Sequence, residues 1–125
     1  MKWEFHYRED YGYLEVVISG PLSPDDLNKM AIERWNELRR LKCNKILFDF
    51  TQITNILSVI DIYKRPEESE KSGVLRTNRA AAVVPDTYWN EFKFMETVYQ
   101  NRGFDLNVFN NKKDAINYLA NVNSG

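Results

Sequence analysis

Histidine and cysteine are almost missing from this chain, which has one of each, His6 and Cys43, in 125 residues. An internal disulfide is therefore excluded, and one imidazole plus one thiol cannot supply a transition-metal set. Asp25-Asp26 and Glu67-Glu68 are adjacent pairs rather than a spaced coordinating loop, so no metal is expected. The five glycines form no phosphate cradle, which leaves dinucleotide and P-loop readings without support and gives no reason to expect a cofactor. Neither sign of charge is in excess: 17 Lys plus Arg stand against 18 Asp plus Glu, for a net charge of -1. Without a basic field to gather phosphates, nucleic-acid binding is disfavoured. No apolar run approaches the roughly 18 residues of a membrane span. The opening Met1-Lys2-Trp3-Glu4-Phe5-His6 also lacks the continuous apolar core of a signal peptide. The expectation is one soluble, reduced, cytoplasmic domain over residues 1–125.

What is present is a set of short apolar runs separated by helical patterns. Lys45 to Phe50 is too short for a helix and largely apolar, so it reads as a strand buried on both faces at the centre of the sheet. Arg79 to Val84, with Ala80, Ala81 and Ala82 in succession, reads as a second such strand, its small residues implying close packing. Trp3 to Arg8 and Tyr13 to Ser19 alternate with period two across the turn Asp10-Tyr11-Gly12, predicting an antiparallel edge hairpin. Leu106, Val108 and Phe109 mark one further strand.

Between the strands, Ser23 and Pro24 open a helix as N-cap and first position, with Leu27, Met30, Ala31, Trp35, Leu38 and Leu41 as its inward stripe. Ile56 to Tyr63 begins a second helix with Thr54 or Asn55 as cap. After it, Pro66 to Gly73 has no apolar side chain to bury and is either a solvated continuation or an exposed loop. Pro85-Asp86-Thr87 caps a third helix carrying Trp89, Phe92, Met95, Val98 and Tyr99, closed by a left-handed Gly103. Asn111 to Asp114 opens a fourth, with Ala115, Ile116, Leu119 and Ala120 inward, and the tail Asn121 to Gly125 is expected to fray. The fold class is thus α/β, a mixed sheet of about five strands with an amino-terminal antiparallel hairpin and about four helices.

This order of elements, the strands Ile46-Leu47-Phe48-Asp49-Phe50 and Arg79 to Val84, the helix piece Phe94-Met95-Glu96-Thr97 and the ending Val108 to Leu119 together resemble the STAS domain of anti-sigma-factor antagonists. The resemblance is to the stand-alone branch similar to stage II sporulation protein AA, distantly akin to the SEC14-type lipid-carrier domain. It implies a non-enzymatic regulatory or protein-interaction module of bacterial origin that meets a protein partner or itself as a homodimer. It also implies a phosphorylated Ser or Thr at the start of the helix after the central strand. Ser58 is the nearest match, although Leu57 replaces the expected Asp and Val59-Ile60 the expected Ser-Gly. An ordinary helix-start serine is the plainer account.

Other chemistry is sparse. Asp49, in an apolar strand, invites a base role but has no partner in sequence, so a structural carboxylate is the simpler reading. His6 reads as a solvent-facing strand residue and Cys43 as a packed thiol. No catalytic residue is assigned. Residues leaving the central strands share the carboxyl rim where open α/β folds place working groups. Asp49, Thr51, Thr54, Tyr63, Arg76, Trp89 and Phe92 are therefore the candidate ligand or partner surface. Tyr63, Tyr88, Trp89, Phe92, Phe94 and Tyr99 could line an apolar pocket between helices, the alternative function being a small carrier or sensor of an apolar or lipid-like molecule. Arg76 and Arg79 would then face an acidic head.

Overall fold

The structure is a computed structural model that describes residues 1–71 and 76–120. Among these residues one sheet of five strands runs in the order β1 (Lys2–Arg8), β2 (Tyr13–Gly20), β3 (Lys45–Ile53), β4 (Arg79–Val83) and β5 (Asp105–Phe109). β1 and β2 are antiparallel and the remaining pairs are parallel, so the two strands expected at the centre lie side by side, Ile46 opposite Ala80 and Phe48 opposite Ala82. Their burial on both faces, with Leu47 and Ala81 at 0% exposure, is what a parallel interior strand requires.

Period-two alternation sends one set of side chains to each face. Val16, Ile46, Phe50, Ala82 and Val108 pack under α1 (Pro24–Leu41), α2 (Val59–Lys71) and α3 (Trp89–Asn101). Tyr13, Leu47, Ala81 and Val83 pack under α4 (Lys112–Ala120) through Ala115 and Leu119. On that second face Glu15 is buried, its carboxylate bridged by Arg8 at 2.7 Å and Lys112 at 2.5 Å. Burial works to raise its pKa, but the hydrogen bonds from Lys112 and Arg8 outweigh that and hold it below the ordinary value.

The free edge of β5 is closed by α3: Val108 N–H donates to Glu96 at 2.6 Å and Gln100 donates to the Leu106 carbonyl at 2.9 Å. These side chains take the hydrogen-bonding groups that an edge strand would otherwise offer to another chain. At the start of α1, Ser23 accepts from Asp26 N–H at 3.2 Å with Pro24 behind it, as expected. Asn111 caps α4 by accepting from Asp114 N–H at 2.9 Å, and Gly103 is left-handed at φ 85°.

Several boundaries differ from expectation for identifiable reasons. α2 is capped by Ser58, which accepts from Asp61 N–H at 3.1 Å, because Asn55 is already engaged by Leu22 N–H at 2.6 Å. The helix continues to Lys71 through an internal Pro66, and Arg65, Pro66 and Ser69 are buried on its inner side rather than solvated. Ser72 and Gly73, where that segment was expected to end, and the tail from Asn121 lie outside the described residues. α3 has no side-chain cap; a 3₁₀ turn at Asp86–Tyr88 leads into it instead. Ala120 is exposed because the inward stripe of α4 is Ala115 and Leu119, one turn apart. In α1 the inward position between Met30 and Leu38 is taken by Arg34, with Trp35 rotated to a half-buried flank.

Candidate functional site

The small side chains of Ala80 and Ala82 do not reach the helices above them, and a cavity of about 90 Å3 lies between the sheet and α1, α2 and α3. Phe92, Met95 and Val108 give it apolar walls. Phe92 is held in place against Phe50, with ring centroids 4.9 Å apart. Polar residues also line it: Arg34 of α1, Arg65 and Ser69 of α2, Asn78 just before β4, Tyr99 of α3, and Asp105 of β5, whose carboxylate is engaged by Arg79, Asn107 and Tyr118.

The two arginines define the electrostatics. Arg34 is 6% exposed and Arg65 5% exposed, yet among the described residues no carboxylate is within ion-pairing distance of either. Arg65 donates to Asn28 Oδ1 at 2.8 Å, and Asn28 in turn donates to Glu68 at 3.4 Å. The Arg34 guanidinium lies over the Phe48 ring, 5.1 Å from its centroid, and its buried Nε has no hydrogen-bond acceptor. Asn78 Nδ2 is likewise buried without a partner. Burial pushes the Arg34 pKa down to about 10; the neighbouring charge of Arg65 adds to that and Tyr99 opposes it. Arg34 therefore remains a cation at neutral pH. Ser69 and Tyr99 satisfy each other at 2.8 Å.

The residues expected from sequence do not all meet here. Phe92 and Tyr99 line the cavity, while Tyr63 and Phe94 are exposed, and Tyr88 and Trp89 pack half-buried against the core without lining it. Asp49 belongs to the opposite face, where it accepts from Thr51 N–H at 2.9 Å and Thr51 Oγ1 at 2.6 Å, a local structural carboxylate. Thr54 is exposed; its carbonyl accepts from Tyr88 Oη at 3.2 Å. Arg76 is paired with Glu70, donates to the Arg102 carbonyl at 2.8 Å and stacks on Phe104. Arg79 points to the α4 face, 3.3 Å from Asp105 and over Tyr118. Both are thus occupied, and the cations that enter the cavity are Arg34 and Arg65. His6 meets Glu4 at 3.2 Å, not Asp49, and the Cys43 thiol donates to the Lys45 and Gly12 carbonyls from a packed position.

Ser58 stands exposed at the start of the helix that follows the central strand. Beside it Val59, Ile60 and Tyr63 are 66%, 66% and 60% exposed, an apolar turn facing outward. No helix among the described residues is long and apolar enough to cross a membrane.

No family model matches the chain, and no curated protein matches it. Solved structures do. An uncharacterized protein of the DUF3478 family from Shewanella loihica PV-4, which has a SpoIIAA-like fold, matches with a TM-score of 0.60 and 20% identity, over 94% of this chain and 92% of its own. The present chain has a SpoIIAA-like fold. The STAS-like resemblance read from the sequence thus holds at the level of architecture. Within the SpoIIAA-like fold described here, the turn bearing Ser58 and the cavity lie at different places: one on the outside of α2, the other beneath it.

Proposed function

We propose that this SpoIIAA-like protein is a non-enzymatic binding module that carries or senses a small amphipathic molecule held between the sheet and its three covering helices. The observation that supports this reading is the cavity itself. Interiors close-pack, and a void of this size beside two alanines forfeits contacts that a larger side chain would supply. At about 90 Å3 it is smaller than the roughly 150 Å3 cavity that admits a benzene ring, so the ligand's buried portion is short. Ligand-observed NMR with 1-propanol tests the reading directly. Binding is expected to the natural protein and to be lost in Ala82→Leu, whose added carbons occupy the space. Equal binding by the two proteins, or none by the natural one, contradicts it.

A second reading, a regulatory or protein-interaction module that meets a partner or a second copy of itself, is favoured by the outward turn of Val59, Ile60 and Tyr63 next to Ser58. Three apolar side chains around an exposed N-cap serine form a surface on which a phosphate would alter docking. Native mass spectrometry reports subunit number and retained small molecules together. A dimer broken by Ile60→Asp supports the second reading, and a monomer unaffected by that change opposes self-association there.

A further inference from the structure

Two cations, Arg34 and Arg65, line the cavity described above, and the one carboxylate residue in its lining, Asp105, is paired with Arg79 and hydrogen-bonded to Asn107 and Tyr118 rather than to either of them. Arg34 makes no hydrogen bond among the described residues; its contact is the face of Phe48, which favours a cation but accepts no strong hydrogen bond from Nε. Arg65 donates to the neutral Asn28 amide, which leaves its charge without an anionic partner among the described residues. Asn78 Nδ2 is the second buried donor without a partner, beside Arg34 Nε. The neutral hydroxyls in the lining, Ser69 and Tyr99, hydrogen-bond to one another and supply no negative charge.

Two buried cations repel, and each was removed from water at a cost that ordinary proteins offset with a carboxylate. A water molecule could accept from these donors but would leave the charge in place. The complementary object is an oxyanion, which accepts several hydrogen bonds and supplies the missing charge at once. We infer that the cavity takes an amphipathic anion, a carboxylate or phosphate head seated among Arg34, Arg65 and Asn78 and a short apolar tail against Ala82, Phe92 and Met95. The inference rests on the ligand-binding reading proposed above and adds the chemistry of the head.

Isothermal titration with three short-chain probes separates the two claims: propanoate, propyl phosphate and 1-propanol. At least one of the anions is expected to bind about tenfold or more tightly than the alcohol, the discrimination that charge-assisted hydrogen bonds give. The stronger of the two anions identifies the head as carboxylate or phosphate. In Arg34→Met that preference is expected to vanish, the anions falling to about the affinity of the alcohol. Asn78→Leu is expected to weaken the anions less, since it removes a neutral donor. If the alcohol binds the natural protein as tightly as the stronger of the two anions, the inference about the head is overturned while the cavity still binds ligand. If none of the three binds, both fall. If the anions keep their advantage in Arg34→Met and in Arg65→Met, the arginines are not the receptor and the assignment is wrong.

Discussion

Replacing Arg34 by methionine should make the unliganded protein more stable, the opposite of what losing a long, buried, well-ordered side chain does elsewhere in a core. Methionine and arginine have similar helix propensity, so α1 itself is indifferent to the exchange. The stem keeps its place between Met30 and Leu38 on the inner stripe. What disappears is a buried cation with an unanswered Nε, a group whose orphaned hydrogen bond alone costs about 1–3 kcal/mol. Depression of the Arg34 pKa from 12.5 to about 10, driven first by burial, places the penalty on the charged form at about 3 kcal/mol. Against this stands the cation–π contact with Phe48, at most about 2 kcal/mol when desolvated. A methionine sulfur over the same ring returns about 0.3–1.5 kcal/mol of that.

The balance favours Arg34→Met by about 1–2 kcal/mol, equivalent to a rise in Tm of about 3–8 °C for a chain of this size. Urea unfolding in a buffer free of carboxylates and phosphates is the assay, with an unchanged m-value as the check that the compared states are the same. The sign of the pH dependence follows from the direction of the shift. A cation whose folded pKa lies below its unfolded one burdens the fold fully while both states are protonated, and the burden lifts only as pH climbs through the folded value. The gap between the two proteins should therefore be flat from about pH 6 to about pH 9 and narrow only above about 10. A methionine variant less stable than the parent by about 1 kcal/mol or more would refute the reasoning, because it would mean the guanidinium is satisfied in the folded state.

Lys112→Met should destabilise the protein by about 1–3 kcal/mol at neutral pH, since it leaves the buried Glu15 carboxylate to the partly solvated Arg8. Glu15 has a lowered folded pKa, so the loss is complete above its unfolded value of about 4.3 and fades as pH falls through the folded one; urea midpoints at neutral and acid pH read this directly. Ser58→Ala should cost about 1 kcal/mol by removing the cap of α2, and Ser58→Asp should recover most of it; a thermal melt in which both variants match the parent would deny Ser58 that role. Ala82→Leu should leave the unliganded protein within about 1 kcal/mol of the parent, because its bulk enters space that is already open, whereas Ala81→Leu, on the closed face beneath α4, should cost about 1–3 kcal/mol by overpacking; chemical denaturation of the pair compares them.

The sheet was legible in the sequence because its signals are local and redundant. Lys45 to Phe50 and Arg79 to Val84 are apolar without alternation, as buried parallel strands must be, and the hairpin pattern before them could pair only at an edge. The caps at Ser23 and Asn111 were legible for the same reason: the side chain and the helix it starts are neighbours in sequence. The start of α2 was not, because the competition among Thr54, Asn55 and Ser58 is decided by Leu22, far away along the chain. Nor was the path through Pro66, whose burial depends on the neighbouring elements rather than on its own segment. The candidate site was legible only in outline. The aromatic helix supplied Phe92 and Tyr99, but Tyr63 and Trp89 turn elsewhere, and the arginines chosen for proximity in sequence, Arg76 and Arg79, have partners outside the cavity.

One signal of the actual polar lining was present. Arg34 falls one turn from both Met30 and Leu38, and Arg65 stands three residues after the buried Ile62. Each thus occupies a position where its helix turns toward the sheet. Ordinary snorkelling would carry such a side chain along the surface to water, but Arg34 and Arg65 both stay buried. Ala80 and Ala82 lie across from them, small enough to leave a space beside the charges. Leucines at all four positions would satisfy the same helical and strand patterns, fill the volume and remove the charge penalty. The core therefore departs from its most stable composition twice, in charge and in volume, and does so at one place. A structural role would account for either departure alone; their coincidence is accounted for by a ligand that brings both the missing charge and the missing atoms.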